Sequence, residues 1–224
     1  MARTRQTRAE NTRQAILDSA ASAFDRAGFA ATSLSDVVRD AGVTKGALYF
    51  HFPSKEALAR ALLEEQHRVS QAVTAVREPG LQTVIDLTHR TAFGLRTDVR
   101  IRAGIRLVIE LRSATDPDPS PYDGWIDTCH RCLTPAQERG ELLPSLDVYD
   151  LSTMIVGAFA GIQVASQART HRADLHARVV DLWNFLLPGM VPAGHISLFD
   201  PAGSPGCRAE LGLAALDSPP VPVG

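Results

Sequence analysis

The sequence predicts an all-α chain: a three-helix helix-turn-helix domain at the N-terminus, followed by a larger helical domain. Three observations carry this. Apolar residues recur at three- and four-residue spacing in one segment after another. No run combines period-2 alternation with the β-branched enrichment of a strand. Glycine, proline or a Ser/Thr/Asp cap punctuates the chain at helical intervals.

The first helix runs from about Arg8 to Ala27. Ile16, Ala20, Phe24 and Ala27 share one face, and Gly28 stops it. The second opens at Ser33, which makes a capping box with Asp36; its apolar face is Leu34, Val37, Val38 and Ala41, and Gly42 ends it. A short third helix is capped by Thr44 and reaches about Phe50, where Pro53 follows. Ser54 caps a fourth, from Lys55 to about Glu78, with the stripe Leu58, Leu62, Val69, Val73 and Val76. Further helices are expected near 81–95, 98–112, 123–139, 147–170 and 173–187, with a Pro/Asp loop between Ser113 and Pro121. The expected organisation is a helix-turn-helix domain over 1–55, a ligand-binding and dimerisation domain over 56–195 with the fourth helix as connector, and a Pro/Gly-rich tail over 196–224 with at most one short helix.

With 224 residues, 45 % hydrophobic, the chain can bury a core without disulfides or metal. Its net charge is −2, unevenly spread: residues 1–60 hold nine Lys/Arg against six Asp/Glu, and the remainder is acidic. A basic end on an acidic body points to an anionic partner such as DNA. The N-terminus lacks the apolar stretch of a signal peptide, and no uninterrupted apolar run approaches the ~18 residues of a membrane span. The expectation is a cytoplasmic protein with no membrane partner.

Enzyme and metal signals are missing. Cys129 and Cys132 form a C-x-x-C without the second pair that zinc needs or the following histidine that haem attachment needs. Cys207 stands apart, and Asp116 and Asp118 lack the Gly and Glu of a calcium loop. There is no nucleophile elbow, P-loop or dinucleotide fingerprint. No enzyme activity, metal or cofactor is expected.

Residues 33–52 carry the chemistry of a nucleic-acid reader. Gly42 permits a tight turn between two helices, and the second helix has a polar outer face suited to the major groove of double-stranded DNA. Lys45 is placed to reach guanine O6 and N7. Gly46 and Ala47 are small enough for close approach. Ser33, Thr44, Tyr49 and His51 carry groups that reach phosphates and fix register. Lys55, at the start of the fourth helix, combines a charge with outward backbone N–H groups as a phosphate site. Arg3, Arg5 and Arg8 make a basic arm for the backbone or a minor groove. On spacing alone, a solvated helical subdomain without a partner fits the same residues.

Residues 12–58, above all GVTKGALYFHFPSKEAL at 42–58, closely resemble the DNA-binding domain of the TetR family of repressors. The wording VTKGALYFHF is similar in particular to the γ-butyrolactone receptors, and GELLP at 140–144, VGAFAGIQVASQ at 156–167 and Trp125 after the Pro-rich loop extend that likeness. The resemblance implies a homodimeric repressor that binds a palindromic operator and is released by a small diffusible autoregulator of γ-butyrolactone type. Ala158 departs from it, standing where some of these receptors carry a threonine held to bond the ligand. A different small-molecule effector, such as an antibiotic or a precursor, or none, stays open.

Candidate ligand-binding residues are polar or aromatic groups on apolar faces and their apolar neighbours: Trp125, Gln66 with Leu62 in the stripe of the fourth helix, and Gln163 with Phe159 four residues before it. An aromatic wall with two amides suits a neutral ligand carrying a carbonyl and a hydroxyl. By pattern alone, core or the edge of a face is the commoner reading of these residues. Dimerisation is expected on the helices at 147–170 and 173–187. Their periodicity does not separate partner-facing from core-facing residues.

Overall fold

The computed structural model describes residues 2–74, 78–111 and 120–213, with side chains described for 7–64, 78–108, 110 and 122–213. Among them no strand occurs. The order is α1 (Ala2–Ala31), α2 (Leu34–Asp40), α3 (Lys45–His51), α4 (Lys55–Thr74), α5 (Leu81–Thr97), α6 (Val99–Leu111), α7 (Ser120–Glu138), α8 (Val148–Thr170), α9 (Leu175–Met190), a 3-10 helix (Ala193–Leu198) and α10 (Pro205–Leu211). Gly28 interrupts α1 with φ 80 and ψ 175, a conformation that glycine adopts without steric cost. One further helical turn follows it.

The chain divides into two compact units: Met1–Ser70 with Thr97–Gly124, and Gln71–Arg96 with Trp125–Gly224. The first extends beyond residue 55. Its core gathers Ile16, Leu17, Ala20 and Phe24 of α1, Val37 of α2, Leu48 of α3 and Leu58 and Leu62 of α4. Ala103 and Leu107 of α6 complete it, with Val99 packed alongside. These three lie four apart, on one helical face. Each large side chain buried here contributes roughly 1.5–3 kcal/mol. Leu62 therefore belongs to the helix-turn-helix core, which corrects its expected place among the ligand contacts. The opening turns of α4 are spent on closing that core.

A charged seam flanks the same α1–α6 contact. Arg100 Nε donates to Asp18 at 2.7 Å, Arg102 Nε to Asp25 at 2.8 Å, and Arg106 to the Asp25 carbonyl at 2.7 Å. Arg106 also pairs with Glu110 at 2.6 Å.

The second unit is built on α5, whose buried face is Leu81, Val84, Ile85, Thr88, His89, Ala92 and Leu95. Trp183 of α9 is fully buried, and its indole N–H donates to Thr88 Oγ1 at 2.9 Å. The stretch expected as a tail with at most one short helix holds α10, and its packing is a finding of the structure. Residues 199–211 are folded onto α5, because buried polar groups of α5 require partners. Asp86 accepts from Ser204 N at 2.7 Å and from its hydroxyl at 2.6 Å. Gln82 bonds both the N–H and the carbonyl of Asp200. Arg90 pairs with Glu210 at 2.6 Å, and Cys207 is buried.

By length and composition α8 is apolar enough to cross a membrane. Its fold context accounts for that apolarity on two sides. Leu151, Ile155 and Val156 are buried within the unit, while Tyr149, Met154 and Val164 face outward, as does Phe185 of α9.

Candidate nucleic-acid interface

The helix-turn-helix forms by local capping. Ser33 Oγ accepts from Asp36 N at 3.1 Å, the N-cap half of the capping box, and its hydroxyl donates to the Asp36 carboxylate at 2.7 Å. That bond holds the Asp36 carboxyl below its ordinary pKa. Gly42 takes φ 64 in the turn. Val43 N–H then donates to Val38 O at 3.2 Å, and the Val43 side chain packs against the core.

Thr44 caps α3 by accepting from Ala47 N at 3.1 Å. Its hydroxyl proton remains available to a phosphate oxygen while the lone pair serves the cap. Leu48 is the buried side of α3, so the helix must present the opposite side outward. Lys45 and Gly46 are exposed there, Tyr49 is 50 % exposed, and His51 is half-buried at the edge. Ala47 is half-buried. Arg3 and Arg5 lie in the first turns of α1, and their side chains fall outside the described residues; Arg8 is exposed.

Two features differ from the sequence reading. Lys55 does not offer its ammonium outward. Its Nζ donates to the carbonyls of Phe29 at 2.7 Å, Thr32 at 3.1 Å and Ala30 at 3.4 Å, and lies 4.4 Å from the Phe29 ring centroid. An ammonium has three N–H groups, and here all three are used at the end of α1. The cause is local: the last carbonyls of a helix lack partners, and a cation answers both their hydrogen bonding and the helix dipole. The second feature is Phe50, which the sequence reading passed over. Its ring is 81 % exposed and meets His51 edge-on at 5.1 Å. The signal was present: Phe50 lies four residues after Gly46, on the same outer face.

The candidate ligand contacts are scattered. Trp125 is half-buried beside Cys129, Cys132 and Leu133 of the same α7 face, and Phe159 is half-buried on α8. Gln163 is buried, and its carbonyl oxygen accepts from Arg172 at 3.3 Å. These residues belong to the second unit. Gln66 lies on α4 with its side chain outside the described residues. Cys129 and Cys132 are free thiols in apolar surroundings; burial pushes Cys129 up to about 12. Among the described residues no His/Cys/Asp/Glu group of three or more is arranged to hold a metal.

Residues 16–62 match the family "Bacterial regulatory proteins, tetR family", and residues 79–192 match the "Tetracyclin repressor-like, C-terminal domain". The A-factor receptor protein of Streptomyces griseus is 42 % identical over 212 residues, covering 94 % of this chain and 74 % of that protein. The crystal structure of full-length TylP, a tetR regulator from Streptomyces fradiae, superposes with TM-score 0.78 at 35 % identity, covering 92 % of this chain and 98 % of that one. A crystal structure of a gamma-butyrolactone receptor (ArpA-like protein) gives TM-score 0.70 at 31 % identity, with coverage of 92 % and 98 %. This chain belongs to the TetR family of bacterial regulatory proteins.

Proposed function

We propose that this regulator is a homodimeric repressor that reads a palindromic operator through α3 and releases it when a small autoregulator of γ-butyrolactone type binds the second unit. The observation that carries the reading is the outer face of α3, where Lys45, Gly46, Tyr49 and Phe50 stand exposed opposite the buried Leu48. The 42 % identity with the A-factor receptor protein supports the effector class.

In this reading Lys45 contacts a guanine, Gly46 and Ala47 admit the groove edge, and Phe50 lies against a thymine methyl. Thr44, Tyr49 and His51 hold phosphates, with Arg3, Arg5 and Arg8 following the backbone. Ser33 sets the entry of α2, and Lys55 fixes the end of α1 rather than a phosphate. The outward apolar residues Met154, Val164 and Phe185 suit a two-fold partner on α8 and α9. Trp125, Phe159 and Gln163 are the candidate effector contacts. The effector works by binding more tightly to the state whose two α3 helices no longer match the operator spacing. The site of action is the cytoplasm, where the operator is.

Selection of bound sequences from random duplexes tests the DNA half. The reading requires a palindrome with half-sites about one turn apart, ~34–36 Å. Enrichment of single, unpaired half-sites contradicts it. Ala158 favours a second reading for the ligand alone, in which a different neutral small molecule occupies the same unit.

A further inference from the structure

Two histidines meet in the interior of the second unit. His89 of α5 is fully buried and His176 of α9 is 3 % exposed. Their rings are parallel within 5°, with centroids 5.8 Å apart and Nδ1 atoms 3.5 Å apart. His89 Nε2 lies 2.9 Å from the carbonyl oxygen of Pro201. His176 Nε2 is buried without a partner.

The hydrogen bonds fix where the protons sit. A carbonyl oxygen only accepts, so His89 carries its proton on Nε2. Burial pushes both imidazoles below their ordinary pKa, so each is neutral and holds one ring proton. His89 Nδ1 is then a bare lone pair. A second bare nitrogen facing it at 3.5 Å would be repulsive, so His176 donates through Nδ1. The chain of donors ends at His176 Nε2, which is left as a bare acceptor enclosed by protein. A buried acceptor without a donor is costly and is rare in native proteins.

The chemistry of the missing donor is narrow. It must bring an O–H or N–H, which excludes a carboxylate or phosphate. The Arg96 charge that acts on His176 disfavours a cation. The ring of Phe93 lies 6.5 Å from that of His176, giving the donor an apolar flank. We infer that His176 Nε2 is an effector-binding atom, accepting a hydrogen bond from the hydroxyl of a neutral, otherwise apolar small molecule. This rests on the reading of the second unit as the effector unit, and it adds to that reading both a contact and a required functional group. His89 is the positioning residue: its bond to Pro201 sets the tautomer that leaves His176 able to accept.

The test uses the full-length dimer on its operator, with a hydroxylated γ-butyrolactone and its deoxy counterpart as probes. Wild type is expected to need about ten-fold or more of the deoxy probe for half-release, the usual consequence of a buried acceptor left unpaired. In His176→Phe that ratio is expected to fall to about two or less. Because the variant also strands His89 Nδ1, wild-type protein labelled with 15N-histidine supplies a second readout. One imine nitrogen resonance, assigned to His176 Nε2, is expected at the position of a bare lone pair. It should move toward a hydrogen-bonded position with the hydroxylated probe and stay with the deoxy probe. An unchanged ratio in His176→Phe overturns the inference. So does a resonance that the hydroxylated probe leaves in place, or one already hydrogen-bonded before any probe because a buried water holds it. If neither lactone releases wild type from DNA, the effector reading itself fails and the assignment falls with it; if release occurs without any response at His176, only the assignment fails.

Discussion

Glu110 of α6 closes the break in α1: its Oε2 accepts from Phe29 N–H at 2.5 Å, directly after Gly28. The same carboxylate is held from the other side by Arg106. The end of α1 is thus bound twice, by a carboxylate taking its N–H and by Lys55 Nζ taking the carbonyls of Phe29, Ala30 and Thr32. Both contacts lie within the unit that carries α3.

Glu110→Ala should destabilise this unit by about 1–2 kcal/mol, the order of a charge-assisted hydrogen bond discounted for partial exposure. Gly28→Ala should cost at least as much, since it combines a positive φ with a Cβ that collides with the Glu110 carboxylate. Urea unfolding of each variant measures the loss. In Glu110→Ala the Gly28→Ala penalty should shrink, leaving the φ cost and the close approach to Arg106; equal penalties in both backgrounds would deny the contact.

Lys45 and Lys55 should separate cleanly. Lys45→Ala is expected to weaken specific operator binding by about 1–3 kcal/mol, the range of a good base contact, with little loss on unrelated DNA. Lys55→Met is expected to lower stability by on the order of 2 kcal/mol, through three carbonyls left without their cation. At a temperature where Lys55→Met is folded, the slope of log affinity against log salt should match wild type. A slope lower by about 0.9 per site would mean that Lys55 does neutralise a phosphate.

Phe50 offers a test by atom deletion on the DNA side. Replacing operator thymines by deoxyuridine removes one methyl group, worth about 0.8 kcal/mol when buried. At the contacted position wild type should bind about four-fold more weakly, and Phe50→Ala should not distinguish the two duplexes. Equal sensitivity of both proteins at every thymine would remove Phe50 from base reading.

The histidine pair makes stability depend on acid. Burial, followed by the neighbouring His89 and Arg96, lowers His176 from 6.5 to about 4 in the folded protein. His89 is shifted the same way by burial, opposed by the Pro201 carbonyl and by Asp86 and Asp200, with Arg208 adding to the lowering. The unfolded chain takes up a proton near pH 6.5 that the folded state refuses until about pH 4. The contribution is therefore constant above about 6.5 and is lost as pH falls through that window. The loss for His176 is on the order of 3 kcal/mol. Urea midpoints from pH 7.5 to 4.5, compared between wild type and His176→Phe, isolate it from the carboxylates. Parallel profiles would contradict a neutral buried pair.

Much of this fold is legible in the sequence. The 3.6-residue period located nine helices, and the Ser33–Asp36 box and the Thr44 cap sit where their side chains bond. These are local properties, fixed by residues within one or two turns. What stayed hidden was tertiary. Nothing in the period of Val99, Ala103 and Leu107 says that α6 packs with α1 rather than with its neighbours in sequence. Lys55 at a helix start looks like a phosphate site until the carbonyls of α1 arrive beside it from some 25 residues earlier. The packing of the tail is not legible in its own turn-rich sequence; the usable clue lies in α5, where Asp86 and His89 interrupt an apolar face and need partners from elsewhere. Among the ligand candidates, Leu62 shows the limit of pattern reading, since an apolar stripe does not say which core it fills.

The central claim is that one molecule both reads DNA and gives it up to a small neutral effector. A gel shift on the DNA upstream of its own coding sequence, with and without a panel of γ-butyrolactones, tests it most directly. The account predicts a shifted complex with two protomers per duplex that one or more hydroxylated lactones dissolve. No shift at low salt, on that region or on palindromic duplexes, would contradict it.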